Sequence, residues 1–347
     1  MMIHKKYMQR CLELAKNGLG TTYPNPMVGS VIVFENKIIG EGWHQKAGEP
    51  HAEVNAINSV KDKAALSKST IYVSLEPCSH FGKTPPCSDL IIQHKIPNVV
   101  VGTVDPNEKV AGKGIEKLRQ SGATVTVGML EKKCLELNRR FFTFHNKKRP
   151  FIILKWAESA DGFLSPVSKK EQKPVWITNP YSRQLVHKWR TEEQAILVGT
   201  NTVLVDNPQL NSREWQGNNP IRIVLDRAGK ISNDYEVKNG KQQTIFISEK
   251  ENFVAVENCN FETIIFDNQL AEKMSSLLFQ KGIQSVIIEG GLQTLQTFID
   301  ADLWDEARIF KGSLLFKQGT KAPTLFGETV KRTTILNDEL LMLKRYD

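Results

Sequence analysis

His51-Ala52-Glu53, then Pro77-Cys78, then Cys87: these stretches decide how the chain is read. They supply one imidazole, two thiols and a carboxylate beside the imidazole. Zinc takes thiolates and imidazole in a tetrahedral shell, and a catalytic zinc keeps one corner for water. His51, Cys78 and Cys87 make three ligands and leave that corner free. Glu53 then fits a proton shuttle better than a fourth ligand. Residues two apart lie roughly 200° apart on an ideal helix, so His51 and Glu53 share a site only at an irregular first turn. Pro50 favours such a helix start. Far downstream, Glu289-Gly290-Gly291 ends an apolar strand and opens a helix. Glycines there let the backbone approach a phosphate, and a helix N-terminus favours negative charge. Taken alone, the same pattern is also an ordinary tight turn.

Working outward, hydrophobic spacing organises the first half of the chain. Tyr7, Met8, Cys11, Leu12 and Ala15 recur at helical intervals, and Gly18 and Gly20 stop that helix. Residues 28–34 and 37–42 predict a hairpin around Glu35-Asn36. Helix 51–60, strand 70–75, helix 87–94, strand 99–104, helix 114–120 and strand 124–127 follow. A single helix over 131–144 closes the unit, and 146–150 is the expected boundary.

A second alternation begins with strand 151–156. Helix 180–190 is expected to be capped by Thr178 or Asn179. Strands are expected at 195–199, 221–225, 244–248 and 263–266. Helix 270–281, strand 285–289 and helix 292–299 come next, with further strand towards the C-terminus. Two such alternations imply two α/β layered domains, and 347 residues suffice for two cores.

Composition narrows the function classes. A hydrophobic content of 40% without an apolar run of bilayer length argues against a membrane protein. The polar, basic start over 1–10 carries no secretory core. Five scattered cysteines do not make a disulfide framework, so a reducing cytoplasm is expected. The net charge of +8 fits either a lysine-rich solvated surface or attraction of anionic small molecules. The basic residues are dispersed, and the cluster Lys147-Lys148-Arg149 falls at the boundary, so no nucleic-acid partner is expected.

The order of the first three stretches adds more than any one of them. A His-x-Glu opening a helix, then a strand, then Pro-Cys, then a Cys opening the next helix matches the zinc deaminase signature. In that chemistry activated water displaces ammonia from a nitrogen heterocycle, with the glutamate carrying protons. A structural zinc would want a fourth protein ligand. His80 could supply it, but that reading leaves Glu53 without a task.

The first ~145 residues resemble the cytidine-deaminase-like domain of the bifunctional riboflavin-biosynthesis deaminase–reductase family (RibD, also written RibG). The resemblance is carried by Asn25-Pro26-Met27-Val28-Gly29, Gly42-Trp43-His44, Ala47-Gly48-Glu49-Pro50-His51-Ala52-Glu53 and Asp105-Pro106-Asn107. Its most specific part is Leu75-Glu76-Pro77-Cys78-Ser79-His80-Phe81-Gly82-Lys83-Thr84-Pro85-Pro86-Cys87. Base deaminases at large place their cysteines as Cys-x-x-Cys, whereas this longer loop is that of the RibD branch. The resemblance implies substrate contacts at Asn25, His44, Lys83, Asp105 and Asn107.

From about residue 150 the chain resembles the reductase of the same family, a fold related to dihydrofolate reductase. The carrying residues are Lys155-Trp156-Ala157, Ser159-Ala160-Asp161-Gly162, Trp176-Ile177-Thr178, Arg190, Thr200-Asn201-Thr202-Val203-Leu204-Val205-Asp206-Asn207-Pro208, Leu210, Arg213 and Glu289-Gly290-Gly291. NADPH contacts are implied at Ala157, Trp176, Thr202, Asp206 and from Gly291 onward. Substrate contacts are implied at Lys155, Thr178, Arg190, Leu210, Arg213 and Glu289. Arg190 and Arg213 suit phosphate clamps, because a guanidinium binds phosphate bidentately. One departure is local: segment 165–173 is lysine-rich, and Pro174 stands where the family commonly has a substrate-contacting serine.

The resemblance therefore implies a three-layer α/β/α zinc deaminase domain over 1–146 and a dihydrofolate-reductase-like α/β domain over 150–347. It implies hydrolytic deamination of a phosphoribosylated diaminopyrimidinone, followed by NADPH-dependent reduction of the ribosyl group to ribityl. It also implies a homo-oligomer, dimer or tetramer. Two other readings stay open on the residues alone. A deaminase of RNA or free nucleosides would need a basic, aromatic-lined groove, and no such cluster stands between Asn25 and Asp105. A non-catalytic zinc-stabilised binding protein would be indifferent to replacement of Glu53.

Overall fold

The computed structural model describes residues 2–81, 85–107, 110–168, 171–251 and 255–346. The chain divides into two units, Met1–Lys148 and Arg149–Asp347. In the first, the elements run α1 (Met2–Ala15), β1 (Gly29–Phe34), β2 (Lys37–Trp43), α2 (Ala52–Ser59), β3 (Thr70–Val73), α3 (Cys87–Gln93), β4 (Asn98–Val101), α4 (Lys113–Gln120), β5 (Thr124–Val127), α5 (Glu131–Leu137) and α6 (Arg139–Lys147).

The five strands pair in the order β2-β1-β3-β4-β5. β1 is antiparallel to both neighbours, and β3, β4 and β5 are parallel. Alternation sends neighbouring side chains to opposite faces. Ile32, Ile71, Val73, Val99 and Val101 therefore pack with Ala56, Ile57, Ile91 and Leu118 of the α2, α3 and α4 layer. Val31, Val33, Tyr72 and Val100 pack with Tyr7, Met8, Cys11, Leu12 and Cys134 of α1 and α5. The unit is thus a three-layer α/β/α sandwich. α2 lies directly on β2 because Gly42 lacks a side chain; a Cβ there would come 2.4 Å from the Ala56 nitrogen.

The second unit runs β6 (Phe151–Glu158), β7 (Phe163–Pro166), α7 (Pro180–Glu192), β8 (Ala195–Gly199), α8 (Thr200–Asp206), β9 (Ile221–Leu225), β10 (Thr244–Ser248), β11 (Cys259–Thr263), α9 (Leu270–Gln280), β12 (Ser285–Ile288), α10 (Leu292–Asp300), β13 (Glu306–Lys311), β14 (Gly319–Lys321), β15 (Glu328–Ile335) and β16 (Asp338–Lys344). Nine strands form one sheet, ordered β11-β10-β9-β8-β12-β6-β13-β16-β15. The run from β11 to β13 is parallel, and β16 and β15 close it antiparallel. Ile152, Leu154, Leu197 and Ile288 bury one face against α9 and α10. Phe151, Ile153 and Ile287 bury the other against Val186 and Trp189 of α7. β8 leads to β9 on one side, while its neighbour β12 leads past β6 to β13 on the other. Connections that diverge in this way open a crevice at the C-terminal ends of the strands.

Two expected elements are corrected. The helix expected over 131–144 is two helices parted at Asn138, whose buried side chain accepts from the Met27 N–H and donates to the Met27 carbonyl. The strand expected at 263–266 lies earlier, at Cys259–Thr263, in parallel register with Thr244–Ser248. It is a half-exposed edge strand, so its own residues carry little periodic signal. Asn179, not Thr178, caps α7, accepting from the Tyr181 and Ser182 N–H groups with Pro180 in the first turn. Among the described residues no helix is long and apolar enough to cross a membrane.

Candidate functional sites

His51 is the N-cap of α2, in extended conformation with φ −72° and ψ 169°. Glu53 sits in the first turn behind it. The irregular start is therefore what lets residues two apart face one point. Cys78 follows the end of β3, and Cys87 is the first residue of α3. His51 Nδ1 lies 3.6 Å from Cys78 Sγ and 3.4 Å from Cys87 Sγ. Ligands on a tetrahedral zinc, with Zn–S near 2.3 Å and Zn–N near 2.1 Å, stand about 3.6 Å apart. The donors are thus already spaced for that ion. Among the described residues they form the one cluster of three His, Cys, Asp or Glu donors. His80 stands outside it.

The electrostatics fit a thiolate site. The Cys78 thiol is pushed down, first by the Cys87 thiol hydrogen-bonded to it, with His51 and the Cys87 N–H, 3.3 Å from Cys78 Sγ, assisting. Cys87, which donates in that pair and is buried, is pushed up. Glu53 is buried, and loss of solvent raises its carboxyl to about 7.

Around this cluster lie the expected substrate residues. Burial pushes the His44 imidazole down. Its Nδ1–H is directed at the Pro50 carbonyl (3.2 Å), and Nε2 accepts from Asn25 Nδ2 at 3.1 Å. Its ring stands edge-on to His51 at 5.2 Å. Asp105 is buried, which raises its carboxyl to about 6, and it accepts from the Asn107 N–H at 2.8 Å. Lys83 lies outside the described residues. Glu76 escaped the sequence reading: only 4% exposed, it accepts from the N–H groups of Asp105, Gly112, Gly114 and Ile115. A carboxylate closing an apolar strand was the available signal, since buried carboxylates need donors.

In the second unit, a cleft of about 1490 Å³ opens at the C-terminal ends of the strands. It is lined by Lys155 and Ala157 from β6, Trp176 and Thr178 ahead of α7, Arg190 from α7, and Thr202 and Asp206 from α8. Leu210 and Arg213 from the following loop, and Glu289 and Gly291 from the β12–α10 turn, complete the set. All eleven residues singled out for this half thus share one cleft. The Gly291 N–H donates to Thr202 Oγ1 at 3.0 Å, tying α8 to the start of α10. Trp176 is exposed, with the Arg183 guanidinium 4.6 Å from its ring centre. Pro174 and Lys173 line the same cleft.

Arg190 is held by partners inside the cleft. Its Nε and Nη2 donate to Glu289 at 3.2 and 2.7 Å, and Nη1 donates to the Asn211 carbonyl at 3.1 Å. Lys155 Nζ lies 3.7 Å from the same carboxylate. Burial opposes ionisation of Glu289, but Arg190 and Lys155 outweigh it and hold the carboxyl at about 2. Arg213 is exposed, donating to Asn211 Oδ1 at 3.1 Å. His187, also on the cleft wall and also missed, is buried and 3.5 Å from Glu214; desolvation, then Arg190 and Arg213, push it down to about 4.

Residues 1–103 match the family described as the cytidine and deoxycytidylate deaminase zinc-binding region, and 150–345 match the RibD C-terminal domain. The riboflavin biosynthesis protein RibD of Aquifex aeolicus is 41% identical over 324 residues, 91% of this chain and 89% of its own. The chain belongs to the RibD family. The RibD of Escherichia coli is 36% identical, over 88% of this chain and 86% of its own. A Thermotoga maritima diaminohydroxyphosphoribosylaminopyrimidine deaminase/5-amino-6-(5-phosphoribosylamino)uracil reductase superposes with a TM-score of 0.90 at 36% identity, covering 99% of each chain. Acinetobacter baumannii RibD does so at 0.89 and 32%, covering 100% of this chain and 99% of that one. As a RibD-family member, the chain is a bifunctional deaminase–reductase of riboflavin biosynthesis. It holds a zinc-binding deaminase region with a His/Cys/Cys group, and a reductase half whose family implies a nucleotide cofactor.

Proposed function

We propose that the first unit deaminates the phosphoribosylated diaminopyrimidinone on which the Thermotoga relative acts, and that the second reduces the product's ribosyl group to ribityl with NADPH. The observation that carries this is the His51–Cys78–Cys87 donor triangle with Glu53 buried beside it. His51, Cys78 and Cys87 hold the zinc; when bound, it supplies the Lewis acidity that activates water near neutral pH. Glu53 takes a proton from the attacking water and returns it to the departing amine nitrogen. His44 and the Asn25 amide bonded to it present polar edges to the pyrimidine. Asp105 and Asn107 hold the substrate from the opposite loop, and Lys83 meets its phosphate.

In the reductase cleft NADPH supplies the hydride when bound. Ala157, Trp176, Thr202, Asp206 and Gly291 bind it. Thr178, Leu210 and Arg213 seat the phosphoribosyl substrate. Glu289 fixes Lys155 and Arg190, so their cationic N–H groups wait where negative charge develops on the ribosyl oxygen. The chain is placed in the cytoplasm, a reading supported by its few, scattered cysteines. A homo-oligomer is carried over from the family.

Glu53→Gln tests the reading. Zinc stays bound by elemental analysis, ammonia release falls on the order of a hundredfold or more, and NADPH oxidation with the deaminated substrate is unchanged. Normal ammonia release from this variant would remove Glu53 from the reaction.

A further inference from the structure

Glu76 stands at the junction of three segments of the first unit. Its backbone N–H donates to the Thr103 carbonyl at 3.0 Å. Its Oε2 accepts from the N–H of Asp105 at 3.3 Å and of Gly112 at 2.9 Å. Its Oε1 accepts from Gly114 at 2.9 Å and Ile115 at 3.3 Å, in the first turn of α4. Two residues further on, the same strand end delivers Cys78. The first turn of α4 presses against this arm so closely that a Cβ on Gly114 would lie 2.0 Å from the Pro77 carbonyl oxygen.

Four N–H groups thus converge on one carboxylate that is 4% exposed. An ionised carboxylate is acceptor-only and can take all four, and its charge suits the start of a helix. Glutamine cannot do the same: its amide would aim donors at donors and leave two buried N–H groups without partners.

We infer that Glu76 is a positioning residue for deamination, fixing the loop that carries Asp105 and Asn107 against the arm that carries Cys78. The inference rests on the proposed reading of Asp105 as a substrate contact. Glu76 touches neither substrate nor metal; it sets the distance between the two groups that do.

The test uses the full-length, zinc-loaded protein and four forms: parent, Glu76→Gln, Asp105→Ala and the double variant. Glu76→Gln is expected to keep its zinc and its reductase rate, while the KM for the pyrimidine substrate of deamination rises roughly tenfold, as for orphaned buried donors, and kcat changes less. The double variant is expected to be no worse in KM than Asp105→Ala alone, because Glu76 acts through that loop. An unchanged KM in Glu76→Gln beside a raised one in Asp105→Ala overturns the inference and leaves the substrate reading intact. An unchanged KM in Asp105→Ala defeats the substrate reading itself. Loss of zinc from Glu76→Gln, with normal KM in the metal-replete fraction, assigns Glu76 to the metal arm alone and also overturns it. Should Glu76→Gln not fold, Glu76→Asp keeps both acceptors but withdraws them by one methylene, and enters the same comparison.

Discussion

Glu289 carries one negative charge between two positive ones, so the floor of the reductase cleft is left with a cationic surplus. That surplus suits a phosphorylated substrate and a phosphorylated cofactor. His187 stands in the same field, and its neutrality avoids a third positive charge beside Arg190 and Arg213. The consequence for stability follows from its folded pKa of about 4 against an ordinary 6.5. The unfolded chain binds a proton at His187 below 6.5, while the folded chain refuses it until about 4. Stability of the second unit should therefore fall as pH drops through that window. In His187→Gln the fall should be shallower, measured as denaturation midpoints over a pH series. A parallel fall in both proteins would show that His187 does not titrate in this way.

Helix α7 brings Arg190 to the cleft, and its start is held at several points. Asn179 Oδ1 accepts from Tyr181 and Ser182 at 3.0 and 3.1 Å, its Nδ2 donates to the Ile335 carbonyl at 2.7 Å, and its own N–H donates to Asp338 at 2.8 Å. One side chain thereby caps a helix and ties it to the β15–β16 hairpin. Asn179→Ala should cost about 1–2 kcal/mol by denaturant titration. It should also lower reductase kcat/KM while leaving deamination untouched. Asn138 likewise joins distant segments. Giving its amide to Met27 parts α5 from α6, and in doing so anchors the segment that presents Asn25.

Each of the two units has its own sheet and its own cores. The metal donors all lie in the first and the cleft residues all in the second. A chelator that strips the zinc should therefore abolish ammonia release and leave NADPH oxidation with the deaminated substrate at its original rate. The two assays, run on one chelated sample, check this directly. Equal loss of both activities would mean that the reductase also depends on the metal.

Much of this was legible in the residues alone. Donor clusters are a matter of residue type and short spacing, so the His51, Cys78 and Cys87 group could be read directly. Strands announce themselves by alternation, and the apolar runs at 151–156 and 195–199 became central strands. What the chain alone did not reveal depends on partners far away along it. Arg190 and Glu289 are 99 residues apart, and only folding brings them together as a buried ion pair. The four donors on Glu76, the Met27 clamp on Asn138 and the placement of β11 are of the same kind. A buried polar group is satisfied by whichever partner the packing delivers, and that choice is made in three dimensions.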